Sequence, residues 1–156
     1  MNVSFPVLMG VYMTSVVTLS CPSCLVTNRV ARERLEAAPK CGRCGQALFQ
    51  GLPMALDQAG FDRVLANTEI PLVVDFWAQW CGPCKMMAPV FERAAAELEP
   101  GCRLVKVDTE AAPALAQRYQ IRSIPTLMLF SGGREIARQS GAMDFSTLIR
   151  WVRTHL

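Results

Sequence analysis

No lysine or arginine precedes Arg29, and that absence argues against a secretory leader, whose apolar core is preceded by basic residues. The first twenty residues carry no charge at all. Ser4, Pro6, Gly10, Thr14 and Ser15 nevertheless break them up before any run reaches the length of a membrane span. Residues 1–17 are therefore expected to be an extension of doubtful function, with the functional start near Met13. Charge is sparse elsewhere too: 19% of residues are charged and the formal net charge is +3. Arg29, Arg32, Arg34, Lys40 and Arg43, set against Glu33 and Glu36, account for all of that excess. No aromatic residue lies between Cys24 and Cys41 to stack on a base, so neither charge nor ring pattern suits nucleic acid. Histidine occurs once, as His155, and reads as a solvated terminal residue rather than a ligand.

Cysteine is plentiful by contrast. Seven cysteines fall into three C-x-x-C pairs and one single residue, Cys102. Paired spacing of this kind belongs to metal and redox chemistry in a reducing compartment, not to the staples of a secreted chain, so a cytoplasmic protein is expected. Cys102 has no partner at motif spacing and reads as a small buried residue. With 51% hydrophobic residues in 156, the chain has material for one ordinary packed domain and a small appendage.

Residues 73–85, Val-Val-Asp-Phe-Trp-Ala-Gln-Trp-Cys-Gly-Pro-Cys-Lys, organise the rest. An apolar strand ends at Ala78, a turn holds Cys81 and Cys84, and Met87, Val90, Phe91, Ala94, Ala95 and Leu98 then recur at helical spacing. The thiols thus sit at a helix N-terminus, where unpaired N–H groups and the helix dipole favour thiolate at Cys81. A thiolate is the species that attacks a disulfide, and Cys84 is placed to resolve the mixed disulfide that results. Pro83 presets φ where its missing N–H costs little, and Gly82 lets the backbone bend between the sulfurs.

Upstream, Cys21-Pro22-Ser23-Cys24 and Cys41-Gly42-Arg43-Cys44 give the spacing C-x2-C-x16-C-x2-C. Two such knuckles complete the tetrahedron of a four-thiolate zinc site, and a pair of disulfides is the rival reading. The segment between them offers chiefly Leu25, Val26, Val30 and Leu35, too few large apolar side chains to fold without a staple. One Zn²⁺ bound by four thiolates would bring the net charge to about +1, which leaves no polyanion-binding field.

Asp75-Phe76-Trp77-Ala78 followed by Trp80-Cys81-Gly82-Pro83-Cys84-Lys85 resembles the active-site signature of the thioredoxin family. Asn28-Arg29-Val30, Arg34-Leu35 and Pro39-Lys40-Cys41-Gly42-Arg43-Cys44 are similar to the N-terminal zinc module of its zinc-containing thioredoxin 2 type. Together the two resemblances cover about residues 18 to 156. They imply a zinc-binding module over 18–50 and a thioredoxin domain over 51–156.

Taken in order, Gly51-Leu52-Pro53 reads as a linker, and Asp57 caps a helix that turns Phe61, Val64 and Leu65 inward. The strand and redox helix follow, with Pro89 inside the helix and Pro100-Gly101 ending it. Residues 102–108 form a strand and 112–119 a helix. Thr126 to Phe130, Gly132-Gly133 and Arg134 to Arg138 signal a hairpin, and Asp144 caps a last helix with Phe145, Leu148, Ile149 and Val152 on one side. The order helix, strand, helix, strand, helix, hairpin, helix predicts an α/β fold, a mixed sheet with helices on both faces, as in thioredoxin.

Asp75 stands among apolar side chains, where burial raises a carboxyl pKa and suits it to carry a proton. The resemblance implies that it assists deprotonation of Cys84, with Lys106 on the neighbouring strand tempering its charge; a purely structural ion pair is the competing reading. The resemblance also implies a cis Ile124-Pro125 bond whose backbone pairs with an extended client strand facing Cys81. From the sequence alone a trans bond is the default. Trp80, Gly82, Pro83 and Gly141 complete the expected docking surface, and Trp77 reads as core supporting the active-site turn.

The function expected is a protein-disulfide reductase: a Cys81–Cys84 redox-active disulfide, one Zn²⁺, no tightly bound organic cofactor, disulfide-containing clients, thioredoxin reductase as electron donor, no nucleic acid or membrane partner, and a monomer. A disulfide oxidase or isomerase needs an oxidising compartment. A zinc-thiolate redox sensor or holdase is the non-enzymatic alternative, separable from the reductase by zinc release under mild peroxide before Cys81 and Cys84 react.

Overall fold

The computed structural model describes residues 15–156; most of the N-terminal extension, with the start read near Met13, lies outside the described residues. Two sheets are present among the described residues. Strands β1 (Val16–Ser20) and β2 (Thr27–Ala31) form an antiparallel hairpin, with Val17 paired to Val30 and Leu19 to Asn28. Val16 and Val17, grouped with the extension on sequence grounds, thus belong to a strand.

The second sheet has five strands in the order β3-β5-β4-β6-β7. It comprises β3 (Met54–Ala55), β4 (Leu72–Trp77), β5 (Arg103–Asp108), β6 (Thr126–Ser131) and β7 (Arg134–Ser140). Strands β3, β4 and β5 are parallel, and β6 and β7 form an antiparallel hairpin whose first strand runs antiparallel to β4. Helices α1 (Gln58–Asn67), α2 (Gly82–Leu98), α3 (Pro113–Arg118) and α4 (Phe145–His155) follow the expected order. Strand β3 is the one element of this sheet that the sequence did not announce, because two residues have no readable period.

Alternation along the central strand explains the two layers. Val73, Leu104, Leu127 and Leu129 pack with Met87, Phe91, Ala94 and Ala95 of α2 and Leu148, Ile149 and Val152 of α4. On the opposite face Leu72, Val74, Phe76, Val105 and Val107 pack with Phe61 and Val64 of α1 and Leu115 of α3. Asp57 and Asp144 cap α1 and α4 by accepting the Gly60 and Thr147 N–H groups, as expected. Pro89 lies inside α2, which continues through it to Leu98.

The cysteine-rich segment has a small core of its own. Val17, Leu19, Cys21, Val30, Cys41 and Leu48 are buried together with Ile70, which lies just before β4. Backbone and side-chain bonds join the hairpin to that same stretch: Glu69 N donates to Thr18 O, Thr18 N to the Glu69 carboxylate, and Ser20 N to Thr68 Oγ1. The hairpin therefore docks at the N-terminal ends of β4 and β5. Cysteines 81 and 84 follow the other end of β4, about 17 Å of extended chain away.

Candidate active site

Strand β4 is buried from Leu72 to Phe76, and the chain leaves it at Trp77 to start α2 five residues later. Cys81 is the N-cap of that helix: its Sγ accepts the Cys84 N–H at 3.2 Å. Cys81 and Cys84 are joined as a disulfide with their Cα atoms 5.2 Å apart. Their exposures are 4% and 2%, so both are nearly buried, with the Cys81 edge the less covered of the two. Pro83 occupies the first turn, where no partner for its nitrogen is needed.

Several segments converge on that edge. The Ile124 carbonyl oxygen lies 3.6 Å from Cys81 Sγ, and Ile124-Pro125 is cis, against the sequence default and as the resemblance implied. Glu99-Pro100 is also cis, which nothing in the sequence reading anticipated. Gly141 N donates to Pro125 O at 2.9 Å and adopts φ 96°, a conformation that a side chain would strain. Trp80 is 67% exposed, its indole N–H donating to Glu110 at 2.6 Å. A cleft of about 360 Å³ opens beside it, lined by Trp80, Thr109, Ile121, Arg122, Ser123 and Ile124. Glu110 was missed at the sequence level; nothing local ties it to a tryptophan thirty residues earlier.

Asp75 is buried, and neither carboxylate oxygen has a hydrogen-bond partner among the described residues. Burial pushes its carboxyl up to about 7, and the field of Lys106 only partly opposes that rise. Lys106 is its register partner on β5, yet no ion pair joins them. The Lys106 ammonium sits instead 4.6 Å from the centre of the Trp77 ring. Trp77 is half-buried and not pure core.

The other cysteine pairs converge at the opposite end of the sheet. The sulfurs of Cys21, Cys24, Cys41 and Cys44 all lie within 4.8 Å of one another, with Cys21 to Cys44 at 3.6 Å and Cys24 to Cys41 at 3.7 Å. Tetrahedral Zn–S bonds of about 2.3 Å require sulfurs about 3.8 Å apart, so the donor set fits zinc. Donors point at the sulfurs as they do around thiolates: Ser23 N to Cys21, and Arg43 N and Asn28 Nδ2 to Cys41. Asn28 also accepts the Gly42 N–H, tying β2 to the second knuckle. That role was not read from the sequence.

Residues 53–154 match the family model described as Thioredoxin. The chain belongs to the thioredoxin family. Residues 20–46 match a second model, Thioredoxin 2, N-terminal, which covers the four-cysteine cluster. Thioredoxin C-3 of Corynebacterium nephridii is 43% identical over 87% of this chain and 93% of its own length. Thioredoxin 1 of Nostoc is 44% identical over 62% of this chain and 90% of its own. Among solved structures, a point-mutant thioredoxin from Halobacterium salinarum is 31% identical with a TM-score of 0.61, covering 67% of this chain and 91% of that one. Both the thioredoxin fold and a zinc-ribbon module are thus present, and by family the chain is a protein-disulfide oxidoreductase. No described helix is long and apolar enough to cross a membrane. His155 is exposed and its Nδ1 lies 2.8 Å from Trp151 O, while buried Cys102, its thiol pushed up to about 12 by burial, is far from the reactive range.

Proposed function

We propose that the chain reduces protein disulfides through its Cys81-Gly82-Pro83-Cys84 dithiol. The observation that supports this most is the position of the Cys81–Cys84 pair, at the start of α2 with the Cys81 edge against the Ile124 carbonyl. In the reduced state the Cys81 thiolate attacks one sulfur of a client disulfide, forming a mixed disulfide and expelling the other client sulfur as a thiolate. The Cys84 thiol passes its proton to Asp75, and the Cys84 thiolate attacks Cys81 Sγ, which releases the second client thiolate and closes the Cys81–Cys84 disulfide. Two electrons pass to the client, and thioredoxin reductase is the donor that restores the dithiol.

Asp75, at about 7, is balanced between accepting and returning a proton at neutral pH, with Lys106 limiting how high it rises. Trp80, Gly82, Pro83, Ile124, Pro125 and Gly141 form the surface on which an extended client segment docks, its backbone pairing beside Pro125. The organisation is a zinc-binding module over about 18–50 and a redox domain over 51–156 in one monomer, acting in the cytoplasm.

One Zn²⁺ held by Cys21, Cys24, Cys41 and Cys44 is a closed four-sulfur site, and when bound it supplies cross-linking rather than reaction chemistry. The test of the whole reading is reduction of a protein disulfide driven by NADPH and thioredoxin reductase. Turnover in the native chain and none in Cys81→Ser is the expected result; no turnover in the native chain sinks it.

A further inference from the structure

Asp75 shares its face of β4 with Val73 and Trp77, because alternate residues of a strand point the same way. On that side β5 presents Leu104, Lys106 and Asp108, β6 presents Leu127 and Leu129, and α2, which carries buried Cys84 in its first turn, packs Met87 and Phe91 on the face. The titratable groups among these are Lys106, Asp108 and Cys84. Asp108 is occupied, since its Oδ1 accepts the Glu110 and Ala111 N–H groups. Strand β6 brings no charge to Asp75, and the charged residues of α2, Lys85, Glu92, Arg93 and Glu97, are exposed.

Lys106 is therefore the cation that answers to two claims. Asp75 lies directly across the parallel ladder from it, buried and with both oxygens unpartnered. The Trp77 ring lies two residues along the same face and holds the ammonium at 4.6 Å from its centre, within cation–π range. We propose that Trp77 is a positioning residue for proton transfer: its indole face keeps the Lys106 ammonium off the Asp75 carboxylate, so that the carboxylate stays free to take the Cys84 proton. Were the ammonium to swing onto Asp75, an opposite charge in contact would hold the carboxylate ionised and weaken it as a base. The choice of Trp at position 77 thus sets the pH at which the resolving cysteine loses its proton. This rests on the proton-carrier reading of Asp75 proposed above.

The test follows the Asp75 carboxyl resonance by ¹³C NMR against pH in the oxidised native chain, Trp77→Leu, Trp77→Phe, Lys106→Met and Trp77→Leu/Lys106→Met. Single-turnover resolution of a mixed disulfide is measured across the same pH range. Trp77→Leu is expected to lower the Asp75 midpoint by about one unit, the low end of what an adjacent cation produces, and to move the resolution profile with it. Trp77→Phe keeps a weaker aromatic face and moves both in the same direction by less, which decides the matter even if the Leu variant does not fold. In the Lys106→Met background, loss of Trp77 is expected to move the midpoint no further. An unmoved midpoint in the Trp77 variants overturns the proposal, and so does an equal fall without Lys106, which would mean that Trp77 merely excludes water. A resolution profile unchanged by Asp75→Asn overturns the proton-carrier reading instead, while the carboxyl resonance still reports where Lys106 sits.

Discussion

The Arg103 guanidinium meets the Glu99 carboxylate at 3.3 Å with only 1% and 4% of the two side chains exposed. Arg103 also donates to Leu48 O at 2.7 Å and to Ser20 O at 3.4 Å, and lies over the Phe49 ring. Glu99 in turn accepts the Gly51 N–H. One buried pair, at the end of α2 and the start of β5, therefore holds both ends of the zinc-binding segment against the redox domain. Desolvation disfavours the charged form of each partner, raising Glu99 and lowering Arg103, so each charge depends on the other being present; the Arg103 Nε itself has no hydrogen-bond partner among the described residues.

Removing one partner leaves the other charged and buried. Arg103→Met is expected to cost about 3–5 kcal/mol, read from the urea unfolding midpoint, whereas Arg103→Met/Glu99→Leu recovers much of that loss. A double variant as unstable as the single one would show that the bonds to Leu48 and Ser20, not the charge, dominate.

Asp75 makes stability depend on pH. Its folded value, about 7, lies above the unfolded value of about 4, so the folded chain binds this proton more tightly. The advantage is complete below about 4 and is lost as pH rises through about 7, a swing on the order of 4 kcal/mol. Urea midpoints at pH 5 and pH 8 should therefore differ more in the native chain than in Asp75→Asn, which is expected to be the more stable of the two at pH 8.

Zinc removal is expected to act on folding and not on the redox reaction. Cys24→Ser should lose the metal by elemental analysis and unfold at a lower temperature, because binding energy at a four-thiolate site is folding energy. In whatever fraction remains folded, the rate of mixed-disulfide resolution should match the native chain, since the cluster lies at the far end of β4 from Cys81. A changed rate would place the module in the redox chemistry.

Glu110 pins the exposed Trp80 indole beside the Cys81 edge. Glu110→Ala frees that ring, and a hydrogen bond worth about 0.5–1.5 kcal/mol corresponds to a two- to tenfold rise in KM for a protein client. Little change in kcat is expected, which the coupled reductase assay resolves. An unchanged KM would mean that clients do not use the fixed position of Trp80.

The redox turn, the paired cysteines and the helix order were legible because each is local. Sulfurs three residues apart announce themselves at any site, Asp57 and Asp144 cap the helices they precede, and α2 and α4 carry their apolar faces at helical period. Strands β1 and β2 were not legible. Thr27-Asn28-Arg29 breaks the alternation, and the hairpin is stabilised by Ile70 and Leu48 from outside itself. Arg103, sitting where a strand begins, gave no sign that it would be almost wholly buried.

The sequence by itself determined the candidate groups: two cysteines at a helix start, four more at metal spacing, and an aspartate in an apolar strand. Only the tertiary structure decided that the two sulfur centres lie at opposite ends of β4, that Glu99 and Arg103 join the parts, and that Lys106 turns to Trp77 instead of Asp75. Spacing along the chain specifies contacts within a turn or a strand. Contacts between elements depend on register and burial, where a charge takes whichever partner lowers the cost of leaving water.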